Sequence, residues 1–263
     1  MKSSLVQLNR YWHIVLFKTY ANLKRDIDNT HVGTLWWVLE PMLQTAVTYF
    51  IFTYVFSTRT PNFLVFLFVG NVVYNHFSAS INGGANAIVA AGSLMQQIQL
   101  PKSLYPIIAI CNLTWKFLFS VIIVFPLLWI CHFPVSLPYL ALPVLIVLQL
   151  FVVVSLSLPL SILMPYFQDG KTLLTTLLVL VFWLSGVFYR MDNLPAAFPD
   201  WLRPWLYWNP AVSLIEGYRS VLMDAAWPIW SHFVPGLLVC TASMALGFWL
   251  TNKLGGKVTK LAL

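Results

Sequence analysis

Residues 107–130, IIAICNLTWKFLFSVIIVFPLLWI, show what kind of protein this chain is. The stretch is apolar almost throughout and carries one charge, Lys116, close enough to one end for its side chain to reach the membrane surface. A helix needs about 20 mostly apolar residues to cross the hydrocarbon core of a bilayer, and this stretch has that length. Pro126 is tolerated in a membrane helix when neighbouring helices satisfy the freed backbone groups. We therefore predict a transmembrane helix here.

Five further stretches have the length and apolar composition of membrane spans. They occupy residues 35–56, 63–81, 139–164, 173–188 and 233–250. The stretch at 173–188 is short for a full crossing. The predicted fold is an all-α membrane protein with six transmembrane helices. We divide the chain into an N-terminal interface helix (1–34), a transmembrane domain (35–252) and a basic cytoplasmic tail (253–263).

The composition excludes a soluble domain of ordinary type. Hydrophobic residues make up 59% of the chain and charged residues only 9%, whereas soluble proteins carry roughly 25% charged residues. The net charge of +7 would suggest nucleic acid as a partner of a soluble protein. Here the basic residues gather near the chain ends, which favours a membrane surface instead. Cys111, Cys131 and Cys240 stand alone in apolar runs without metal-ligand spacing, so we interpret them as small buried hydrophobic residues.

The distribution of basic residues predicts the orientation in the membrane, because cytoplasmic loops carry an excess of Lys and Arg. Most basic residues fall in segments that the six spans place on one side: Lys2, Arg10, Lys18, Lys24, Arg25, Lys102, Lys171, Lys253, Lys257 and Lys260. The loops of the other side carry few, and acidic residues offset the arginines of residues 189–231. Both termini are therefore predicted to lie in the cytoplasm. The polar first 33 residues show no cleavable signal peptide.

The N-terminal segment is predicted to form an amphipathic helix at the cytoplasmic interface. At 100° per residue, one arc collects Leu5, Leu8, Trp12, Val15, Leu16, Thr19 and Leu23. Arg10, Lys18, Lys24 and Arg25 fall on the other side, with Phe17 among them. These basic residues are candidates for contact with the head group of an anionic lipid-linked substrate. The alternative is a simple membrane anchor.

The connection at residues 86–105 is the longest predicted cytoplasmic loop. Ser93 is placed to cap a short helix over residues 94–100, which Pro101 would end. This helix would present a nearly uncharged surface of Leu94, Gln96, Gln97 and Leu100. Such a surface suits docking in a groove of a partner protein. The alternative is a solvated loop helix.

Residues 189–231 are too polar to span the membrane and unusually aromatic. They contain Tyr189, Trp201, Trp205, Tyr207, Trp208, Tyr218, Trp227 and Trp230. Asn209-Pro210 interrupts the segment, and an amphipathic stretch follows at 212–223. We predict two short helices at the outer interface, or dipping back into the membrane to line or cap a passage. The alternative is the aromatic belt that membrane proteins carry at both interfaces.

No motif in the sequence supports catalysis or nucleotide binding by this chain. There is no P-loop, no zinc-protease helix motif and no nucleophile elbow, and Gly255-Gly256-Lys257 is only a basic tail. His76 lies in the second predicted span, where we expect a helix–helix hydrogen bond rather than a ligand site. Glu40 lies at the inner end of the first span and needs a partner or water. Arg25 and Lys116 are the candidates.

Aromatic residues are abundant, with 12 Trp, 11 Tyr and 19 Phe, and this suggests a substrate path lined by aromatic rings. Aromatic faces stack on the apolar faces of sugar rings without holding them strongly, and transport needs weak, multi-site binding. The residues assigned to a transport path are Trp36, Trp37, Trp183, Tyr189, Trp201, Trp205, Tyr207 and Trp208. The alternative for each is contact with lipid.

Several motifs then resemble those of polysaccharide-export permeases of the ABC-2 type. Residues 30–43, THVGTLWWVLEPML, match the L-G-x-L-W stretch and proline-containing helix that begin the first span in that family. Residues 167–169, FQD, match its F-x-D motif after the fourth span, with Gln where the family often has Arg. Tyr189, Asp192 and Leu194-Pro195 match an aromatic, an acid and L-P, and Trp208-Asn209-Pro210 resembles Y-N-P.

The resemblance implies a permease subunit that is not itself an enzyme and binds no cofactor. Two copies would form a homodimer with two ATP-binding ABC subunits, which would bind ATP and magnesium. The substrate would be an undecaprenyl- or other lipid-linked polysaccharide, such as O-antigen, capsule or teichoic acid, exported across the bacterial cytoplasmic (inner) membrane. Residues 94–100 would couple to the ATPase and residues 189–231 would form the outer gate. The alternatives are export of a small hydrophobic molecule by a related permease, and a membrane enzyme or assembly scaffold without transport.

Overall fold

Helices are the regular elements of the described chain, which contains no strand in its described part. The computed structural model describes residues 2–28, 33–56, 61–92, 100–191, 194, 199 and 201–261, with the side chains of 2–8, 255 and 257–261 left out. The α-helices are α1 (Lys2–Asp28), α2 (Trp36–Phe50), α3 (Phe63–Ala90), α4 (Leu104–Ile130), α5 (Leu142–Leu163), α6 (Gly170–Leu184), α7 (Arg203–Leu206), α8 (Pro210–Leu222) and α9 (Phe233–Leu261).

Four helical segments of the described chain are long and apolar enough to cross a membrane. They are Phe63–Ala90, Leu104–Ile130, Leu137–Tyr166 and Trp230–Leu254, and they coincide with the second, third, fourth and sixth predicted spans. The other two predicted spans are helical but shorter. In the first, α2 continues as a π-helix at Ile51–Val55, and in the fifth, α6 is a short apolar helix. Six complete crossings therefore stay a prediction.

Helix α3 is the centre of the bundle and contacts α2, α4, α5, α6 and α8. Small residues let its neighbours approach closely. A Cβ on Gly84 would lie 2.7 Å from the Ser157 Cβ of α5, and one on Gly247 of α9 would lie 3.0 Å from the Leu158 Cβ of the same helix. Successive contacts between these helices follow the same order along both chain segments, so α3, α5 and α9 run in the same direction. We call the end where they finish the α1 end, and the opposite end the α8 end.

Helix α1 packs along α4. Val15 and Thr19 are buried, while Trp12 and Phe17 are exposed. The predicted helix is therefore present, but only part of its apolar arc faces the bundle. The remaining apolar side chains form an open stripe, which is the kind of surface that an interfacial helix presents to lipid.

Helices α7 and α8 are the two short helices predicted within residues 189–231. Asn209 caps α8, because its Oδ1 accepts a hydrogen bond from the Ala211 amide at 3.1 Å, and Pro210 occupies the first helical position, where a missing N–H costs nothing. The amphipathic pattern predicted one exposed face. Instead, α8 is buried on nearly all sides between α3, α5 and α9, and its Ser213 hydroxyl donates to the His232 carbonyl at 2.7 Å.

The segment predicted to dock on an ATPase lies almost entirely outside the described residues. Leu94, Gln96 and Gln97 belong to residues 93–99, which the structure does not describe. Leu100 is described and packs against a small apolar cluster at the α1 end that includes Ile88 and Tyr105.

Candidate transport site

The aromatic residues assigned to a path fall into two groups within one chain. Trp36 and Trp37 lie at the start of α2, and the other group lies at the α8 end. Phe52, near the far end of α2, stacks on Phe188 with 5.1 Å between ring centroids. At 1.5 Å per residue, the sixteen-residue separation from Trp36 to Phe52 corresponds to roughly 24 Å. The single chain therefore does not bring the two groups into contact.

A cavity of about 570 Å³ opens between α1, α2, α3 and α4 near the α1 end. Its lining combines charged, amide and aromatic side chains with a few apolar ones. The polar and aromatic members are Asp26, Trp36, Trp37, Glu40, Asn75, His76, Ser78, Asn82, Lys116, Phe117 and Ser120. Sequence reasoning singled out several of them separately but did not predict that four helices would bring them to one cavity.

Lys116 forms an ion pair with Asp26 in this cavity. Its Nζ lies 2.7 Å from Asp26 Oδ2, and it also lies 5.5 Å from the centroid of the Trp37 ring. The sequence suggested Arg25 or Lys116 as the partner of Glu40. That expectation was wrong for Lys116, because α1 packs along α4 and brings Asp26 to the ammonium group. Glu40 is exposed and forms no ion pair with another residue of the described chain.

Side-chain hydrogen bonds hold α2 beside the cavity. Asn75 Nδ2 of α3 donates to Gln44 Oε1 at 2.9 Å. Asn71 Nδ2 donates to Thr45 Oγ1 at 3.0 Å, and Ser120 Oγ of α4 donates to the Trp37 carbonyl at 3.1 Å. These bonds fix the segment of α2 that contains Glu40 against α3 and α4.

His76 joins three helices at the cavity wall. Its Nδ1 lies 2.7 Å from Gln149 Nε2 of α5, and its Nε2 lies 3.2 Å from Thr114 Oγ1 of α4. The imidazole also stacks on Phe117 with 4.5 Å between centroids. The prediction of a helix–helix hydrogen bond is confirmed, since both ring nitrogens are engaged by protein groups.

The basic residues of α1 lie outside this cavity. Arg10, Lys24 and Arg25 are exposed and Lys18 is half-buried. Among the described side chains of α1, only Asp26 lines the cavity. The predicted head-group residues therefore form a basic surface next to the cavity rather than part of its wall.

The aromatic group at the α8 end is partly packed and partly open. Trp183 packs on Phe188 with 4.9 Å between centroids. Trp205 and Trp208 stack with 6.0 Å between centroids. Trp201 is 71% exposed and Trp205 is 61% exposed. This end therefore presents indole faces to its surroundings.

Two further residues of this group pack inward. Tyr189 and Tyr207 lie against the small core cluster of Met191, Leu206 and Val212. The Tyr207 ring also lies 4.2 Å from that of His232, between centroids. They therefore support the exposed indoles rather than adding to the open surface.

Arg219 of α8 is a buried cation that sequence reasoning missed. Its guanidinium donates to the carbonyls of Phe66, Gly186 and Val187 at 2.6–3.3 Å, and it lies 3.4 Å from the centroid of the Phe66 ring. Burial lowers the pKa of this guanidinium, and the Arg190 charge acts in the same direction, while Glu216 and Asp224 oppose it. The only sequence signal was an Arg within the amphipathic stretch at 212–223.

An ion pair and a histidine–carboxylate contact lie near Arg219 at the α8 end. Arg190 Nη2 lies 2.6 Å from Asp224 Oδ1, and His232 Nδ1 lies 3.5 Å from Glu216 Oε2. With Arg219, these residues tie α8 to the chain segments that follow α6 and precede α9. The described residues contain no cluster of ligands suited to a metal ion.

Comparison with known proteins agrees with this architecture. Residues 18–223 match the model of the ABC-2 type transporter family. An O-antigen export system permease protein RfbA from Klebsiella pneumoniae is 24% identical over 82% of this chain and 83% of its own length. A protein of the same description from Myxococcus xanthus is 26% identical over 84% of this chain and 85% of its own length. The chain belongs to the ABC-2 type transporter family.

Proposed function

We propose that this chain is the permease subunit of a transporter that exports lipid-linked polysaccharide, powered by separate ATPase subunits. The observation that carries the proposal is the similarity to O-antigen export permeases along more than four fifths of the chain. The absence of a P-loop from the sequence agrees with an energy source on another chain.

In the proposed arrangement, the chain crosses the cytoplasmic membrane six times with both termini in the cytoplasm. Two copies form a homodimer, and each contacts one ATPase subunit through Leu94, Gln96, Gln97 and Leu100. ATP binding closes the ATPase pair, and rigid-body motion opens a path between the first and fifth spans of the two copies. The exposed indoles at the α8 end support a role as the outer part of that path.

Export of a small hydrophobic molecule is the second candidate, and the cavity near α1 argues against it. Sites for such molecules are lined predominantly by apolar and aromatic side chains. This cavity has an apolar and aromatic lining too, but it also exposes the charged side chains of Asp26, Glu40 and Lys116 together with asparagine side chains. A polar, hydroxyl-rich ligand suits that lining better.

Deletion of the gene tests the proposed function. We expect full-length polysaccharide to accumulate inside the cell and to disappear from the surface, with restoration by the wild-type gene supplied in trans. Normal surface polysaccharide in the deletion strain would contradict the proposal and turn attention to small-molecule export.

A further inference from the structure

We propose that the cavity between α1, α2, α3 and α4 binds the uncharged sugar rings next to the lipid anchor. The pyrophosphate stays outside it, on the basic surface of α1. This inference rests on the proposed function and adds to it which part of the substrate each surface recognises. It keeps the predicted contact of the head group with the basic residues of α1 and assigns the cavity to the sugar rings.

The charge of the cavity lining favours an uncharged ligand over a pyrophosphate. Asp26 and Glu40 are carboxylates and Lys116 is the one cationic side chain among the described lining residues, so the formal charge is negative. Lys116 is already neutralised by Asp26 at 2.7 Å. Glu40 has no ion-pair partner among the described residues and therefore faces an entering ligand as a negative charge. A pyrophosphate would be repelled there by like charge.

The hydrogen-bonding groups of the cavity lining suit a ligand with hydroxyl groups. Glu40 can accept from hydroxyl groups. Asn82 Oδ1 accepts from Asn86 at 2.8 Å, which leaves its amide nitrogen available among the described contacts. Asn75 has the opposite arrangement, since its nitrogen donates to Gln44 and its oxygen is available. Sugar hydroxyls both donate and accept, so a wall with both kinds of group matches them.

The size of the cavity and its two indole side chains suit sugar rings. A cavity of about 570 Å³ lies within the range of roughly 300–1,000 Å³ that ligand sites occupy. Trp36 is 48% exposed at its rim. Trp37 is held in place by the edge of Phe119, with centroids 6.0 Å apart, and by Ser120 on its carbonyl. These indoles offer flat apolar faces beside the polar groups, which is what the two faces of a sugar ring require.

The adjacent basic surface accounts for the anionic part of the substrate. Lys24 and Arg25 directly precede Asp26 in α1 and are exposed. A lipid whose sugar enters the cavity would therefore leave its pyrophosphate beside these two cations. The negative cavity wall and the positive surface of α1 therefore set the orientation of the bound lipid, with its sugar inside the cavity and its pyrophosphate outside.

The test measures binding of two defined lipids to the complete permease–ATPase complex in nanodiscs. One probe is undecaprenyl pyrophosphate carrying a disaccharide, and the other is bare undecaprenyl pyrophosphate. We expect the wild-type complex to bind the glycosylated lipid at least about tenfold more tightly, since each tenfold factor needs only one or two good hydrogen bonds.

Paired variants assign the preference to the cavity. Asn82→Ala and Glu40→Gln should each remove most of the preference for the glycosylated lipid without weakening binding of the bare lipid. Lys24→Ala combined with Arg25→Ala should weaken both lipids equally. Asn252→Ala makes the same chemical change at an exposed site on α9 and should change neither.

Two results would overturn the inference. One is equal binding of both lipids by the wild-type complex. The other is an equal loss of binding affinity for both lipids in Glu40→Gln. Because the Glu40 side chain is exposed, misfolding would not explain that loss. Either result, with surface polysaccharide still dependent on the gene, refutes the cavity assignment alone. Surface polysaccharide that does not depend on the gene refutes the proposed function itself.

Discussion

Arg219 shows how one buried side chain can hold several elements. Its guanidinium replaces water for the carbonyls of Phe66, Gly186 and Val187, while the Phe66 ring covers one face. Arginine suits this position because its planar fork offers several donors at fixed angles and also stacks on an aromatic ring. The residue thereby joins α8 to α3 and to the end of α6.

Replacing Arg219 with Met should strongly destabilise the protein. The change keeps the length of the side chain but removes the Arg219 donor from the carbonyls of Gly186 and Val187, each at about 1–3 kcal/mol, so we expect a loss of at least about 2 kcal/mol. The Phe66 carbonyl also accepts within α3 and therefore loses only a second donor. Thermal unfolding of the purified protein in detergent measures it. Arg190→Met is the matched control, because its ion pair with Asp224 is partly exposed and should contribute about 0–1 kcal/mol. Equal effects of the two changes would contradict the assignment.

Gly70 should not tolerate a side chain, because the Arg219 guanidinium is held against it. A Cβ at this position would collide with Nη2 of Arg219. We expect Gly70→Ala to lower the unfolding temperature, whereas Gly256→Ala, with nothing within 4 Å, should have little effect. In a double-mutant cycle, Gly70→Ala should cost less in the Arg219→Met background, because residues in contact are coupled. Strict additivity would show that another neighbour opposes the methyl group.

At the level of elements, α1 is held to α4 by a short buried stripe and an ion pair. Val15 and Thr19 are buried in this contact, and Asp26 meets Lys116 near the end of α1. The exposed stripe beside them leaves α1 without other protein neighbours along much of its described length. Its position therefore depends on few contacts.

Breaking the ion pair should loosen α1 without disturbing the bundle. We expect Asp26→Asn to increase amide hydrogen exchange in the second half of α1 and to leave α3 and α5 unchanged, because exchange reports local opening. Asp169→Asn is the control, since that carboxylate lies in the turn before α6. Unchanged protection of α1 in Asp26→Asn would mean that Val15 and Thr19 alone hold the helix.

At the level of the whole molecule, the chain has two separate candidate surfaces at opposite ends. The polar cavity lies at the α1 end, and the exposed indoles lie at the α8 end. Helices α2 and α3 connect them, and the polar network around His76 lies between the two. In the proposed arrangement, a substrate moves from the cavity end to the indole end between two copies of the chain.

Replacing Trp201 and Trp205 together with Ala should reduce export while leaving assembly intact. Both rings are exposed, so their removal should cost little stability, yet it removes the faces on which sugar rings would stack. Surface polysaccharide measures export, and co-purification with the ATPase measures assembly. Trp129→Ala is the control, because this indole is 79% exposed at the end of α4 and is not assigned to the path. Wild-type export by the double variant would refute the gate assignment.

Much of the element structure was predictable from sequence. The apolar run at 107–130 predicted α4, and the amphipathic stretch at 212–223 predicted most of α8. Both signals are local, since they depend on the length of an apolar stretch and on the spacing of apolar residues within one segment. The first predicted span changes to a π-helix at Ile51–Val55. In the fifth, α6 ends at Leu184, shortly before Gly186, whose φ of 75° does not continue a helix.

The sequence by itself determined that the chain is an all-α membrane protein of the ABC-2 kind without a P-loop motif, because composition and motif order carry that information. Only the tertiary structure decided that Lys116 pairs with Asp26, that Arg219 binds three carbonyls, and that Glu40 and Asn82 share one cavity. Each of these contacts joins residues far apart in the chain. Their partners depend on how helices pack against one another, and packing is set by side-chain shape across the bundle rather than by local sequence.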